Sequence, residues 1–305
     1  MDEEPVFIDT PEGISTFVDY VTLQETRLGD AQPPLYFDIE GERLSRYGKV
    51  SLLTVIVYAG KGPERTHIID IHTLGDRAFS TAGKHGKTLK NILESPQILK
   101  VFFDVRNDSD ALYAHYGIQL QGIRDVQLME NACRQHTAGR RYISGLSTCI
   151  EGIPSRDDKA RWRRCKEKGE ALWNPQKGGS YSVFNKRPLP SDIVAYCVGD
   201  VRYLPMLYFK YRRGTEPWNK LIAEESQRRV SASHSAEYRP DGPERTLSPW
   251  SAEQNRQLDL WNAPRDYFSY EPDDDLDDLE YFEYSDDYDN DYEDWTRAPW
   301  QGPPS

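Results

Sequence analysis

The segment from residue 34, PLYFDIEGERLSRYGKVSLLTV, constrains the fold more than any other stretch of the chain. Leu35, Phe37 and Ile39 alternate with Tyr36, Asp38 and Glu40, so a strand here places the two carboxylates on one face. Residues two apart on a strand are separated by about 6.6–7 Å, and side chains at that spacing can converge on one or two cations. Burying two carboxylates without a cation is costly and forces protonation. A metal ion removes that conflict. A solvated strand end explains the same pattern, and Asp-x-Glu alone leaves both readings open.

The surrounding sequence places this strand in a sheet. LYFDIE, KVSLLTVIVYA and RTHIIDI are β-rich runs separated by Gly and charged turns, which suits an antiparallel meander. Upstream, FIDTPEGISTFVDYVTL predicts a short strand and then a helix, with Asp9 or Thr10 as cap and Pro11 at the first helical position. Downstream, ILKVFFD is a fourth buried strand and NDSDALYAHYG a helix ended by Gly117. GIRDVQLMENACRQ is a short strand running into a helix. SDIVAYCVGDVRYLPMLYFKYRR is helical, with Ser191 as N-cap and Ile193, Cys197, Val201 and Leu204 on its core face. This order predicts an α/β layered domain over roughly residues 5–215.

Charge divides the chain. Residues 266–295 hold fifteen acidic residues and no Lys or Arg, so a net charge of −12 leaves +3 for everything else. Nucleic acid is therefore not excluded as a partner of the folded part. From residue 226 the periodic patterns fade into a Ser/Pro/Arg-rich stretch, which predicts a disordered linker over 226–305 ending in the acidic, aromatic tail. The tail is expected to be a solvating extension. Its nine aromatics also suit a protein partner, and its charge suits occupation of the chain's own basic groove. Cys133, Cys149, Cys165 and Cys197 form no C-x-x-C, the acidic N-terminal MDEEPVFIDT does not resemble a signal peptide, and no apolar run has the length of a membrane span. The expectation is an intracellular protein of the cytoplasm or nucleus with reduced thiols and no membrane partner.

Two further stretches carry acids. KVFFDVRNDSDALYAHYG offers Asp104, Asp108 and Asp110 where a strand gives way to a helix, although Asn107 or Asp108 would serve equally as a helix cap. In AYCVGDVRYL, Tyr196 and Asp200 are one helical turn apart and share a face. A surface Asp beside a half-buried Tyr is the plainer reading of that pair. Together and in this order, the motifs resemble the DEDD superfamily of 3′–5′ exonucleases in its Tyr-containing branch. The match is to ribonuclease D-like members, and closest to the fungal and animal 3′–5′ exonuclease domain-containing proteins. It rests on Asp38 and Glu40, Asp108 ahead of Tyr116-Gly117, DVQ at 125–127, Arg187-Pro188-Leu189, and Tyr196 with Asp200. Phe103 stands where a His is common in that family.

The resemblance implies a ribonuclease H-like mixed sheet flanked by helices, over residues 1–225. It also implies hydrolysis of phosphodiesters from a single-stranded or frayed 3′ end by two divalent cations, Mg²⁺ or Mn²⁺, releasing nucleoside 5′-monophosphates. Asp38, Glu40, Asp108 and Asp200 would hold the metals and Tyr196 would orient the attacking water. Single-stranded nucleic acid is gripped by positive charge and aromatic stacking. KARWRRCKEK (159–168) and the aromatics after it supply both, in Arg161, Trp162, Arg163, Arg164, Lys166, Trp173 and Tyr181. A solvated helix face explains the basic run equally well. The alternative to an enzyme is a nucleic-acid-binding module that has lost catalysis.

Overall fold

The computed structural model describes residues 4–28, 35–57 and 65–263. Val6–Ile8 (β1) leads into Pro11–Leu28 (α1), where the Thr10 hydroxyl accepts a hydrogen bond from the Gly13 amide at 3.1 Å and closes the first turn. The meander follows as Leu35–Glu40 (β2), Leu52–Val57 (β3) and Arg65–Asp70 (β4), antiparallel at each step. Lys100–Phe102 (β5) pairs with β2 in parallel, and Ile123–Asp125 (β6) with β5. With β1 parallel to β4 at the far edge, the sheet order is β1-β4-β3-β2-β5-β6. β2 is thus an interior strand with a neighbour on each side, which is why so short a run is nearly all buried.

Helices cover both faces. Ile71–Leu74 (α2), Arg77–Ser80 (α3) and Leu89–Glu94 (α4) connect β4 to β5, and Arg106–Tyr116 (α5) connects β5 to β6, closed by Gly117 in the left-handed region. Beyond the sheet come Val126–Ala132 (α6), Thr137–Arg140 (α7), Leu146–Glu151 (α8), Arg156–Trp173 (α9), Ser191–Arg202 (α10), Leu204–Tyr211 (α11), Glu216–Ser233 (α12) and Ala252–Trp261 (α13). Leu35, Phe37 and Ile39 pack with Ile14, Phe17, Val18 and Val21 of α1. Tyr36 points the other way, into a core shared with Leu128, Leu207 and Trp218. Leu52 and Ile68 meet Phe184, Ile193, Tyr196 and Cys197, which seats α10 across β2 and β3.

Three expectations need correction. Ser191 is already the first helical residue, with the extended backbone of Pro190 at the cap position and no side-chain cap bond. The helix expected to run on from Ser191 breaks at Tyr203, because Pro205 has no amide to donate and instead fits the first turn of a new helix. The linker expected from residue 226 is, as far as residue 263, part of the fold. α12 runs to Ser233, and Arg229 donates to Asp125 at 2.7 Å and to Gln127 at 2.9 Å. The Trp250 indole donates to Asn131 at 2.6 Å, and the fully buried Arg140 binds Asn255 and Asp259 of α13. Its apolar anchors, Val230, Trp250 and Leu258, are few and widely spaced and are joined by buried polar pairs, so apolar periodicity does not reveal it. The acidic segment 266–295 lies outside the described residues. No helix among the described residues is long and apolar enough to cross a membrane.

Arg229 tests the correction. Removing one partner of a buried ion pair leaves the other charge uncompensated. Arg229→Met is expected to cost about 3–5 kcal/mol in a urea unfolding curve. A linker residue would cost nothing measurable.

Candidate active site

The alternation in β2 puts Asp38 and Glu40 on the face crossed by α10, where Tyr196 and Asp200 project one turn apart. One carboxylate oxygen from each of Asp38, Glu40 and Asp200 lies within 4.8 Å of the others. Burial and the Asp200 charge raise the Asp38 carboxyl to about 7, against a smaller opposing effect of the Lys166 ammonium. Burial and the charge of Asp38 likewise raise Glu40 well above the ordinary carboxylate range. Burial, with Asp200 next, raises the Tyr196 phenol well above its usual value. The phenol therefore keeps its proton at neutral pH and is available as a hydrogen-bonding group rather than a base.

The structure separates the three acids of the next element. Asp104, at the end of β5 with a φ of +60°, accepts from Arg106 at 2.5 and 2.8 Å and from Arg245 at 2.9 Å. Those guanidiniums, with Arg229, hold it far below the usual carboxylate range despite burial. Asp110 is 1% exposed and accepts from the Arg46 amide at 2.7 Å and its guanidinium at 2.6 Å. Asp108, 8% exposed, makes no ion pair among the described residues. It is raised well above its usual value by burial and then by the charge of Asp38. Asp108 is thus the acid electrostatically joined to the cluster, although it lies outside the set of converging oxygens.

Two motif residues build the frame. Asp125 of the DVQ stretch is fully buried and accepts from the amides of Asp104 (2.9 Å), Val105 (3.2 Å) and Gln127 (3.0 Å). It fixes the turn from which Asp108 emerges. Arg187 of the RPL stretch forms a two-pronged ion pair with the buried Asp70 at the end of β4, and donates to Phe184 O at 2.9 Å. That pair anchors the loop leading into α10.

α9 is the part that sequence reasoning placed least well. Its basic run was expected to face nucleic acid, yet Trp162 is 4% exposed and packs in the core, so its ring has no open face for a base. Lys166 turns inward and donates to Asp200 at 2.6 Å and to the Tyr196 hydroxyl at 3.1 Å. Arg163 pairs with Glu151, while Arg161 and Arg164 are exposed. Trp173 and Tyr181 stack on each other at 5.5 Å, and Trp173 meets Tyr196 edge-on at 6.0 Å, so together they form a wall behind that phenol. Gly169 lets the helix approach: a Cβ there would lie 2.5 Å from Tyr196. The signal in the sequence was Trp162, Lys166, Gly169 and Trp173 at helical spacing, one face of a helix.

The residues present fit divalent cations. Asp38 Oδ2 and Asp200 Oδ1 are buried oxygens without a hydrogen-bond partner, and an all-carboxylate donor set suits a small, hard ion.

A mixed sheet with helices on both faces and acids crowded on an interior strand defines a ribonuclease H-like exonuclease fold. The chain belongs to the 3′-5′ exonuclease family, whose sequence profile matches residues 22–213. Ribonuclease D of Trypanosoma brucei, in a structure with RNA U12, superposes with a TM-score of 0.61 at 19% identity, covering 84% of this chain and 79% of that one. Escherichia coli ribonuclease D gives a TM-score of 0.50 at 18% identity, covering 76% and 51%. The piRNA biogenesis protein EXD1 of Mus musculus is 37% identical over 91 residues, 30% of this chain. This chain spans only 14% of the length of that mouse protein and 16% of its Homo sapiens counterpart.

Two predictions follow from the packing and charge. An Asp carboxyl near 3.9 when unfolded and about 7 when folded makes the folded chain bind more protons between those values. Its contribution is present below about pH 4 and lost as pH rises through about 7. In metal-free buffer the unfolding midpoint of the wild type is expected to fall from pH 5 to pH 8 more steeply than that of Asp38→Asn. Gly169→Ala gains about 1 kcal/mol of helix propensity but overpacks Tyr196 at a cost of about 1–3 kcal/mol. A net loss of stability in urea melts is expected, and a gain would mean that Tyr196 is not seated on α9.

Proposed function

We propose that the chain is a metal-dependent 3′–5′ exonuclease of the Tyr-containing DEDD branch, hydrolysing single-stranded or frayed nucleic acid to nucleoside 5′-monophosphates. The observation that carries this reading is the convergence of Asp38, Glu40 and Asp200 oxygens within 4.8 Å beside a buried Tyr196. Asp38, Glu40 and Asp200 would hold divalent cations, Mg²⁺ or Mn²⁺, with Asp108 contributing to a second ion. Bound there, the ions supply Lewis acidity that activates water and offsets the charge of the phosphate. Tyr196, kept protonated by burial, would orient the attacking water through its hydroxyl.

A cleft of about 310 Å³ lined by Leu146, Ser147, Trp162, Arg163, Lys166, Glu167 and Glu170 meets the acids at Lys166 and suits entry of a strand end. Arg161, Arg163 and Arg164 on the outer side of α9 would contact phosphates, and Trp173 and Tyr181 would border the terminal nucleotide. The RNA in the Trypanosoma brucei ribonuclease D structure makes RNA the first substrate to try. A binding module without catalysis is the second reading, favoured by the Lys166–Asp200 ion pair within the acid cluster.

A 5′-labelled RNA with a 3′ overhang, and its DNA equivalent, separate the two. With Mg²⁺ or Mn²⁺ the enzyme is expected to produce a ladder shortening from the 3′ end. Losing an outer-shell partner of a metal ligand costs roughly 10–100-fold, so losing a ligand in Asp38→Ala or Asp200→Asn should cost at least about a hundredfold. Binding of the strand without shortening, in either metal, would establish the module instead.

A further inference from the structure

Lys166 enters the carboxylate cluster from α9. Its ammonium is 2.6 Å from Asp200 Oδ2 and 3.1 Å from the Tyr196 hydroxyl, and lies 4.5 Å from the centre of the Tyr196 ring. The carboxylate it holds is 7% exposed and is one of the three that converge. An ammonium at that distance holds one oxygen of the carboxylate that a metal ion needs, leaving Asp200 Oδ1 without a partner, and it repels a divalent cation placed among the same acids. It also offsets part of the repulsion among Asp38, Glu40 and Asp200, so the acids have a cation of the chain's own.

We propose that Lys166 is an internal counter-cation that a divalent ion must displace from Asp200, so that this lysine sets the metal affinity of the site. The inference rests on reading Asp38, Glu40 and Asp200 as the metal-holding set. The side chain has somewhere to go. It lines the cleft of about 310 Å³, where Glu170, one helical turn further along α9, also faces. A flexible four-carbon stem allows that movement without shifting the helix.

The test is Mn²⁺ binding, read from the electron paramagnetic resonance of free Mn²⁺, with no nucleic acid present. Lys166→Met is expected to bind Mn²⁺ at least tenfold more tightly than wild type, and Lys166→Arg, which keeps the charge, no more tightly than wild type. Lys166→Gln gives the same reading as Met where Met fails to fold. The metal-free unfolding temperature should fall in Lys166→Met and Lys166→Gln, and the rise on adding Mn²⁺ should exceed that of wild type. Equal or weaker binding without the charge overturns the proposal and leaves the metal set standing. A lysine that merely held Tyr196 in place would give that result. No Mn²⁺ binding by wild type or by any variant would overturn the metal set itself, and the proposal with it.

Discussion

Like charges crowded in a buried place are the constraint around which this domain is arranged. Two ionised carboxylates about 5 Å apart repel by about 3–4 kcal/mol at an effective dielectric constant near 20. The chain answers in two ways. Burial first and the Asp200 charge second raise Asp38 to about 7, so that it takes up a proton more readily, and Lys166 brings in a positive charge. Neither response positions the acids. Apolar packing positions β2 and α10, with Phe37 and Ile39 holding β2 from the far side and Ile193 and Cys197 holding α10 from above, while Asp125 fixes the turn that carries Asp108.

What sequence reasoning captured was the part written in short periods. The two-residue alternation of LYFDIE gave the faces of β2, and the four-residue step from Tyr196 to Asp200 gave the face of α10. The meander and the helix ended by Gly117 were legible for the same reason. The choice of Asp108 over Asp104 and Asp110 came from the family resemblance, counted back from Tyr116-Gly117. In the fold the two neighbours are taken by arginines, Asp104 by the nearby Arg106 as well as by a distant one. Asp104 pairs with Arg245 across 141 residues, and Asp110 with Arg46 across 64.

The misplacements share one origin. Lys166 and Trp162 belong to a basic, hydrophilic run, and composition assigned the whole run to the surface. A helix has an inner face whatever its average polarity, and on α9 that face falls on Trp162, Lys166 and Gly169, which turn toward the core, the acids and Tyr196. Residues 226–263 repeat the lesson. Their buried anchors, Arg229 and Trp250, lie in a stretch that composition marks as linker; Asp125 pairs with Arg229 and Asn131 accepts from the Trp250 indole, whose ring also joins the apolar core.

Asp125 gives this architecture an order in time. Its carboxylate ties the β5–α5 turn to α6 with backbone amides that are close by in the chain, but its charge is matched by Arg229, 104 residues later. Contacts that close long loops are entropically expensive and form late. During synthesis from the N-terminus, β2, α5 and α10 therefore leave the ribosome before the arginine that completes the support beneath Asp108. Until α12 follows, Asp125 lacks the guanidinium that pairs with it, so the support beneath Asp108 is completed only after the residues proposed for the site have been made.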